Sequence, residues 1–118
     1  MIIREMQKGP HVLYSLAGTT LSIGGISIDL AAEQEDAQNI IDICANEKGE
    51  IVRGMNRAYA ANILIPPAEY TQTATGETDE KGNAVYTLEK KPLDVGRVEL
   101  VLWKYEKPAA ESAEIEEE

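Results

Sequence analysis

The stretch TTLSIGGISIDL, residues 19–30, contains two short runs of alternating apolar residues separated by two glycines. If Gly24 and Gly25 form a two-residue hairpin loop, Ile23 lies opposite Ile26 and Leu21 lies opposite Ile28, all on one side. Gly-Gly suits a turn of type I′ or II′, in which positive φ angles are required. A phosphate-binding loop needs the spacing G-x-G-x-x-G or a following G-K-[ST], and neither is present. The stretch therefore predicts a β-hairpin.

The length and composition indicate one globular domain. The chain has 118 residues, of which 43% are hydrophobic, and this suffices for one core but not for two ordinary domains. Phenylalanine is absent, so the core is expected to consist mainly of Ile, Leu, Val and Ala. We predict a domain over residues 1–107 and a disordered acidic tail over residues 108–118, where five of the 21 acidic residues and no basic residue occur.

The charge and the apolar pattern disfavour several classes of function. A net charge of −10 disfavours binding to nucleic acid and to anionic membranes, since both need a surplus of Lys and Arg. No run approaches the roughly 18 apolar residues of a membrane span, and the N-terminus lacks the apolar region of a signal peptide. We therefore expect a cytoplasmic protein, or a virion component if the chain derives from a phage.

The residue types that usually perform catalysis are scarce. The chain has one cysteine, Cys44, which allows no internal disulfide and is interpreted as a small buried apolar residue. His11 is the only histidine, so any Ser-His or Cys-His dyad has a single possible base. The motifs HExxH, CxxC and G-x-S-x-G do not occur in the sequence. We therefore predict a protein that is not an enzyme and needs no cofactor.

Residues 31–47 permit two interpretations. Strong helix formers open the segment, and Asp29 is placed to cap a first helical turn. The apolar residues with helical spacing are Ala37, Ile40, Ile41 and Cys44. The alternative is a short helical or loop piece over 31–37, then a strand over 38–45 and a turn leading to a partner strand at 50–52. The helix is the favoured interpretation.

The rest of the chain predicts strands and turns. Tyr59, Ala61, Ile63 and Ile65 alternate as a half-buried strand, which Pro66-Pro67 ends. EYTQTAT and AVYTLEK flank the polar GETDEKGN and predict a hairpin with a long tip. The last strand is apolar on both faces, as is typical of a central strand, with Val98, Leu100 and Leu102 on one and Val101, Trp103 and Tyr105 on the other. These elements predict a β-rich α+β domain, a small antiparallel sandwich or barrel-like sheet with one helix.

The only candidate metal ligands lie in the tip of that hairpin. Glu77, Asp79 and Glu80 precede Gly82, and clustered carboxylates beside a glycine resemble a calcium loop. However, the spacing D-x-[DN]-x-[DN]-G with a terminal Glu is absent. A solvated hairpin tip is therefore the preferred interpretation.

Four residues are candidates for contact with a partner protein. Arg53 and Arg57 lie close together in an otherwise acidic chain, where they would pair with an acidic partner surface or form weak surface ion pairs. Trp103 and Tyr105 belong to residue types enriched at interfaces, although burial in the core is the commoner outcome for such residues.

Three segments resemble known proteins in their character and in the order in which they occur. These segments are TTLSIGGISIDLAAEQEDAQNIIDI, AYAANILIPPAEYT and PLDVGRVELVLW. They are similar to the small structural proteins of phages and prophages, especially those of the tail region, and the similarity covers most of residues 10–105. The resemblance implies a non-catalytic assembly part, such as a tail, baseplate or accessory subunit that acts in many copies.

The expected function is that of a structural or assembly protein, which forms a homo-oligomer or binds phage-assembly neighbours. Strand addition at an edge would supply the contact, either at HVLYSLAG (11–18) or at ANILIPP (61–67). The alternative is a monomeric binding module that holds a cation or a basic partner protein with its acidic loop or tail.

Overall fold

The computed structural model describes residues 1–106, which form ten strands and one short α-helix. The predicted tail, residues 108–118, lies outside the described residues. The elements are β1 (Ile2–Glu5), β2 (Tyr14–Ala17), β3 (Thr20–Ile23), β4 (Ile26–Asp29), α1 (Leu30–Glu33), β5 (Asn39–Ala45), β6 (Ile51–Arg53), β7 (Ala58–Ile65), β8 (Tyr70–Thr78), β9 (Ala84–Lys90) and β10 (Glu99–Leu102).

The strands form three sheets. The largest has the order β1-β10-β7-β5-β6, the second is β2-β3-β4, and β8 pairs with β9 alone. All neighbours run antiparallel except β1, which lies parallel to β10. The sheets remain open, so the predicted β-rich α+β class is confirmed in its sandwich-like form and not as a barrel.

The hairpin at the two glycines forms in the predicted register. Ile23 pairs with Ile26 and Leu21 with Ile28, and the φ angles of Gly24 and Gly25 are +56° and +87°. Positive φ at both central positions defines a type I′ turn, whose twist matches that of the flanking strands. A Cβ added to Gly24 would lie 2.7 Å from Cγ2 of Ile51, so this turn is pressed against β6.

The core lies between the five-stranded sheet and the three-stranded sheet. One face of each sheet supplies branched aliphatic side chains, and they join in a single cluster. Its largest fully buried members are Leu21, Ile23, Ile28, Leu30, Ile43, Ile63, Ile65, Val98, Leu100 and Leu102. These two sheets with α1 are called the body from here on.

The helix predicted over residues 31–47 is wrong, and the alternative is correct. Only Leu30–Glu33 is helical, capped as predicted by Asp29, whose carboxylate accepts from two backbone amides. Residues 39–45 form β5, in which Ile41 is buried while Ile40 is 54% exposed. The β-branched isoleucines prefer an extended backbone, and alternate burial against β7 outweighs the helix propensity of the alanines before them.

Two further expectations concern strand position. β10 lies between β1 and β7, so the predicted interior position of the last strand is confirmed, although it ends at Leu102, before Trp103 and Tyr105. The segment ANILIPP was expected to offer an edge, and this is wrong because β7 lies between β10 and β5. The segment HVLYSLAG does contain an edge strand, β2.

Candidate protein-interaction site

The hairpin of β8 and β9, residues 70–90, is called the ribbon. Its two strands pair with each other and with no other strand of the described chain. Every residue of β8 is exposed, and in β9 only Val85 is partly covered. A nine-residue strand is about 30 Å long, so the ribbon extends well clear of the body. The principal-axis extents are 76 × 28 × 22 Å.

The two faces of the ribbon differ in chemistry. Directly opposed residues share a face, and one face contains Tyr70, Gln72, Ala74, Ala84, Tyr86, Leu88 and Lys90. The other face contains Thr71, Thr73, Val85, Thr87 and Glu89. On the first, which we call the apolar face, Tyr70, Tyr86 and Leu88 are 45%, 53% and 62% exposed. Large apolar side chains are thus displayed on one side of an element that packs against no second layer of the described chain.

The ribbon is fixed to the body at its base. Pro66 and Pro67 end β7, because neither can donate a ladder hydrogen bond. The Tyr70 hydroxyl donates to Oδ1 of Asp36 at 2.6 Å, and this bond raises the pKa of Tyr70. Arg97, in a short 3₁₀ turn before β10, forms an ion pair with Glu69. These contacts direct the ribbon while leaving its outer length uncovered.

At the tip of the ribbon, the carboxylate of Asp79 stabilises the turn through hydrogen bonds to the backbone. Its Oδ1 accepts from the backbone amides of Lys81 and Asn83, both at 2.9 Å, and these bonds, above all that from Asn83, lower the pKa of Asp79. Residues 1–106 contain no group of three or more His, Cys, Asp or Glu side chains arranged to hold a metal ion. The structure therefore does not bring Glu77 and Glu80 together with Asp79 as a ligand set.

A groove of about 850 Å³ opens on the body, beside the turn that joins β5 to β6. Residues 10–15 form one side, and Gly24, Gly25, Ile51 and Tyr105 contribute to the rest. Tyr105 is held in place by two hydrogen bonds, since its backbone amide donates to Pro10 and its hydroxyl donates to the carbonyl of Gly49 at 2.6 Å. Leu13, one of the residues that line the groove, is 85% exposed.

The groove has an open strand edge and an acidic rim. β2, which continues from Leu13, pairs with β3 on one side and with no described strand on the other. An unpaired edge offers backbone donors and acceptors to a further chain. Glu50 and Glu106 are the acidic residues that line the groove, and His11 is the only residue there that can become cationic. An apolar segment carrying a positive charge would be complementary to this surface.

The four predicted contact residues do not form one site. Trp103 lies on the outer face of the five-stranded sheet, where its indole donates to Oδ1 of Asn62 at 2.6 Å and its ring is 5.4 Å from that of Tyr59. Tyr105 lies at the groove instead. Arg53 donates twice to Glu33, at 2.8 and 3.1 Å, and these bonds lower the pKa of Glu33 and raise that of Arg53.

Arg57 is exposed in the loop before β7. Arg53 thus engages its guanidinium in an internal ion pair, and Arg57 is the one of the two that faces solvent without such a pair within residues 1–106. Neither arginine lines the groove.

Sequence reasoning missed the apolar face of the ribbon and, apart from Tyr105 and the segment HVLYSLAG, the residues of the groove. Tyr86 and Leu88 alternate with Thr87 and Glu89 in the sequence, so the two faces were visible once the pairing of the strands was fixed. The groove had no comparable signal, because four segments distant in sequence meet there.

The comparisons with known proteins do not add to this geometry. None of the protein-family models, curated proteins or solved structures matches the chain. Among the described residues there is no helix with the length and apolar character needed to cross a bilayer.

Proposed function

We propose that the chain is a non-catalytic assembly protein that associates with copies of itself through the ribbon. The observation that supports this proposal is the apolar face, where Tyr86 and Leu88 are more than half exposed although they belong to regular strands. A two-stranded hairpin is marginally stable at best in water on its own. A long ribbon with one apolar face therefore gains most from a second protein surface that covers that face.

The residue types of the apolar face are those expected at a contact with another protein. Tyr and Leu side chains on a rigid strand bury much area at low cost in conformational entropy, and Tyr is enriched among residues that dominate binding energy. Full burial of such a side chain contributes about 1.5–3 kcal/mol. The similarity of the sequence to phage and prophage structural proteins agrees with an assembly role and stays a prediction.

The test is the molar mass of the full-length protein, measured by light scattering over a wide range of concentrations. We expect the wild type to associate as concentration rises. The double variant Tyr86→Ser/Leu88→Ser should require a concentration at least about tenfold higher, since each tenfold change corresponds to about 1.4 kcal/mol. Its matched control, Thr71→Ser/Thr87→Ser, changes the opposite face and should associate as the wild type does.

Two results would contradict the proposal. A wild type that stays monomeric at every concentration would exclude self-assembly. Equal weakening by the two double variants would show that the apolar face is not the contact. Circular dichroism of each variant establishes that the sheets are retained before masses are compared.

A further inference from the structure

We propose that the groove of one copy receives the apolar face of the ribbon of a second copy, with Tyr86 and Leu88 seated beside Leu13. This inference rests on the function proposed above and names the surface that covers the ribbon. It joins the exposed apolar face of one copy and the groove of another in a single contact.

The dimensions of the two surfaces agree. Binding clefts range over roughly 300–1,000 Å³, and the groove, at about 850 Å³, is large enough for several side chains. Tyr86 and Leu88 are two positions apart on one strand, so they project side by side on the same face of the ribbon. The free edge of β2 and the outer edges of the ribbon add backbone groups that can pair across the contact.

The charges of the two surfaces are also complementary. Lys90 is the only charged residue on the apolar face. It lies two residues after Leu88 in β9, so the two side chains are neighbours on that face. The groove carries Glu50 and Glu106. Seating Leu88 in the groove brings the Lys90 ammonium toward this acidic rim, whereas the carboxylates at the ribbon tip stay outside the contact. Complementary charge of this kind fixes orientation more than it adds affinity.

The ribbon that fills the groove belongs to another copy. The groove is lined by residues 10–15 and by positions between 22 and 51 and at 105–106, and no ribbon residue is among them. The base of the ribbon lies elsewhere on the body, beside Gln34, Pro66 and Arg97. One ribbon-to-groove contact leaves a free ribbon on one copy and a free groove on the other, so association closes by reciprocal exchange into a dimer or continues into a ring or a filament.

The outer face of the five-stranded sheet is another exposed surface of the body, and it suits the ribbon less well. It is crossed by the hydrogen bonds from Trp103 to Asn62 and from Asn62 to Asp42, and Arg4 and Glu99 form an ion pair at its edge. A docked apolar strand would have to cover these polar groups without providing partners for them, which costs free energy.

The experiment is a complementation test between two full-length variants. The ribbon variant is Tyr86→Ser/Leu88→Ser, and the groove variant is Leu13→Arg, which places a large cation in the groove at a position that is 85% exposed in the monomer. We expect each variant alone to associate at least about tenfold more weakly than the wild type. A 1:1 mixture should form a heterodimer and grow no further, because only one intact ribbon and one intact groove remain.

The control for the groove variant is Ile40→Arg, which makes the same change at an exposed residue of the outer sheet face. It should associate as the wild type does, and the emission of Trp103, the only tryptophan, should not shift on association. Association that survives Leu13→Arg but is lost in Ile40→Arg would assign the ribbon to the outer face. That result would overturn this inference while leaving self-assembly through the ribbon intact.

Two other occupants are distinguished in the same series. A symmetric contact between two ribbons would leave the groove variant associating as the wild type does, and one between two grooves would leave the ribbon variant doing so. Either result, or a mixture that stays monomeric, shows that the ribbon-to-groove assignment is wrong. The variant Ile115→Ser removes the one large aliphatic side chain of residues 107–118. If it abolishes association while the ribbon variant does not, the groove takes that segment and not the ribbon. A monomeric wild type would instead refute the proposed function itself.

Discussion

Strand β7 in the body and strand β9 in the ribbon both place large apolar residues at alternate positions, and their surroundings differ completely. Ile63 and Ile65 in β7 are fully buried, whereas Tyr86 and Leu88 in β9 are 53% and 62% exposed. In the body, the three-stranded sheet covers the apolar side of the five-stranded sheet. In the ribbon, no described layer of the chain does so. Apolar residues at alternate positions thus indicate that one face of a strand favours burial, but they do not indicate whether the same chain or another chain buries it.

The difference separates two sources of stability. Burial of aliphatic side chains stabilises the body, because each one removes apolar area from water. The ribbon is held mainly by backbone pairing and by its own turn, in which Asp79 accepts two amide hydrogen bonds. We therefore expect the body to unfold as a unit and the ribbon to contribute little to the unfolding free energy of the monomer.

The largest expected effect is that of truncating a side chain in the core. Ile63→Ala should lower the free energy of unfolding by about 2–5 kcal/mol, because it leaves a cavity between the sheets. Leu88→Ala should change it by less than about 0.5 kcal/mol in the monomer, since the side chain is exposed. Urea unfolding followed by Trp103 fluorescence, at a concentration below association, measures both. Comparable losses would mean that the ribbon packs on its own body in solution.

An effect of similar or smaller size is expected where glycines form turns in the two regions. Alanine at Gly24 or at Gly82 is strained by positive φ, which costs about 1–2 kcal/mol locally. At Gly24 the new Cβ also meets Ile51, and overpacking adds about 1–3 kcal/mol. At Gly82 nothing lies within 4 Å, and the strained turn belongs to the ribbon.

We therefore expect Gly24→Ala to destabilise the body clearly more than Gly25→Ala, which has the same kind of φ angle but open space around it. Gly82→Ala should leave the urea midpoint of the body almost unchanged while loosening the tip, which amide hydrogen exchange would detect. If Gly24→Ala and Gly25→Ala prove equally destabilising, the close approach of the hairpin turn to β6 is absent in solution.

The parts of this fold that could be predicted from sequence are those set by local chemistry. The Gly24-Gly25 loop fixes the pairing of Ile23 with Ile26, because a two-residue turn leaves one register. Pro66-Pro67 ends β7 for a similarly local reason. The helix predicted after Asp29 is wrong because the alanines of that segment favour a helix locally. The strand is stabilised instead by the pairing of Ile41 and Ile43 with β7, a contact between residues distant in sequence, which local propensity does not reveal.

The candidate site was less predictable, since its features depend on assembly in space. The parallel pairing of β1 with β10 joins the two ends of the described chain, and the groove brings residues 10–15 to Tyr105. Trp103 and Tyr105 were reasonable candidates by residue type. Because they are two residues apart, strand alternation places them on the same face, and nothing in the sequence indicated that Trp103 lies on the outer face while Tyr105 lies at the groove. The alternation of residues in β9 predicted an apolar face, but it did not predict that this face would be exposed.

The smallest expected effect concerns the contact between the ribbon and the body, the hydrogen bond from Tyr70 to Asp36. Because this bond favours the neutral phenol, the folded-state pKa of Tyr70 is raised above its ordinary value of about 10. The stability it contributes is therefore fully present below about pH 10, and it is lost as the pH rises through the higher folded-state pKa.

Asp36→Asn should return the pKa of Tyr70 toward its ordinary value, since it removes the carboxylate that accepts the bond and repels the phenolate. Tyrosine titration by ultraviolet absorbance measures this change, and Tyr70→Phe identifies which part of the titration belongs to Tyr70. Both variants should leave the urea midpoint of the body in place, because the bond is exposed and lies outside the core. A titration that Asp36→Asn does not alter would mean that the base of the ribbon is not held to the body by this bond, and that its direction is set by Pro66-Pro67 and by the pair of Arg97 with Glu69.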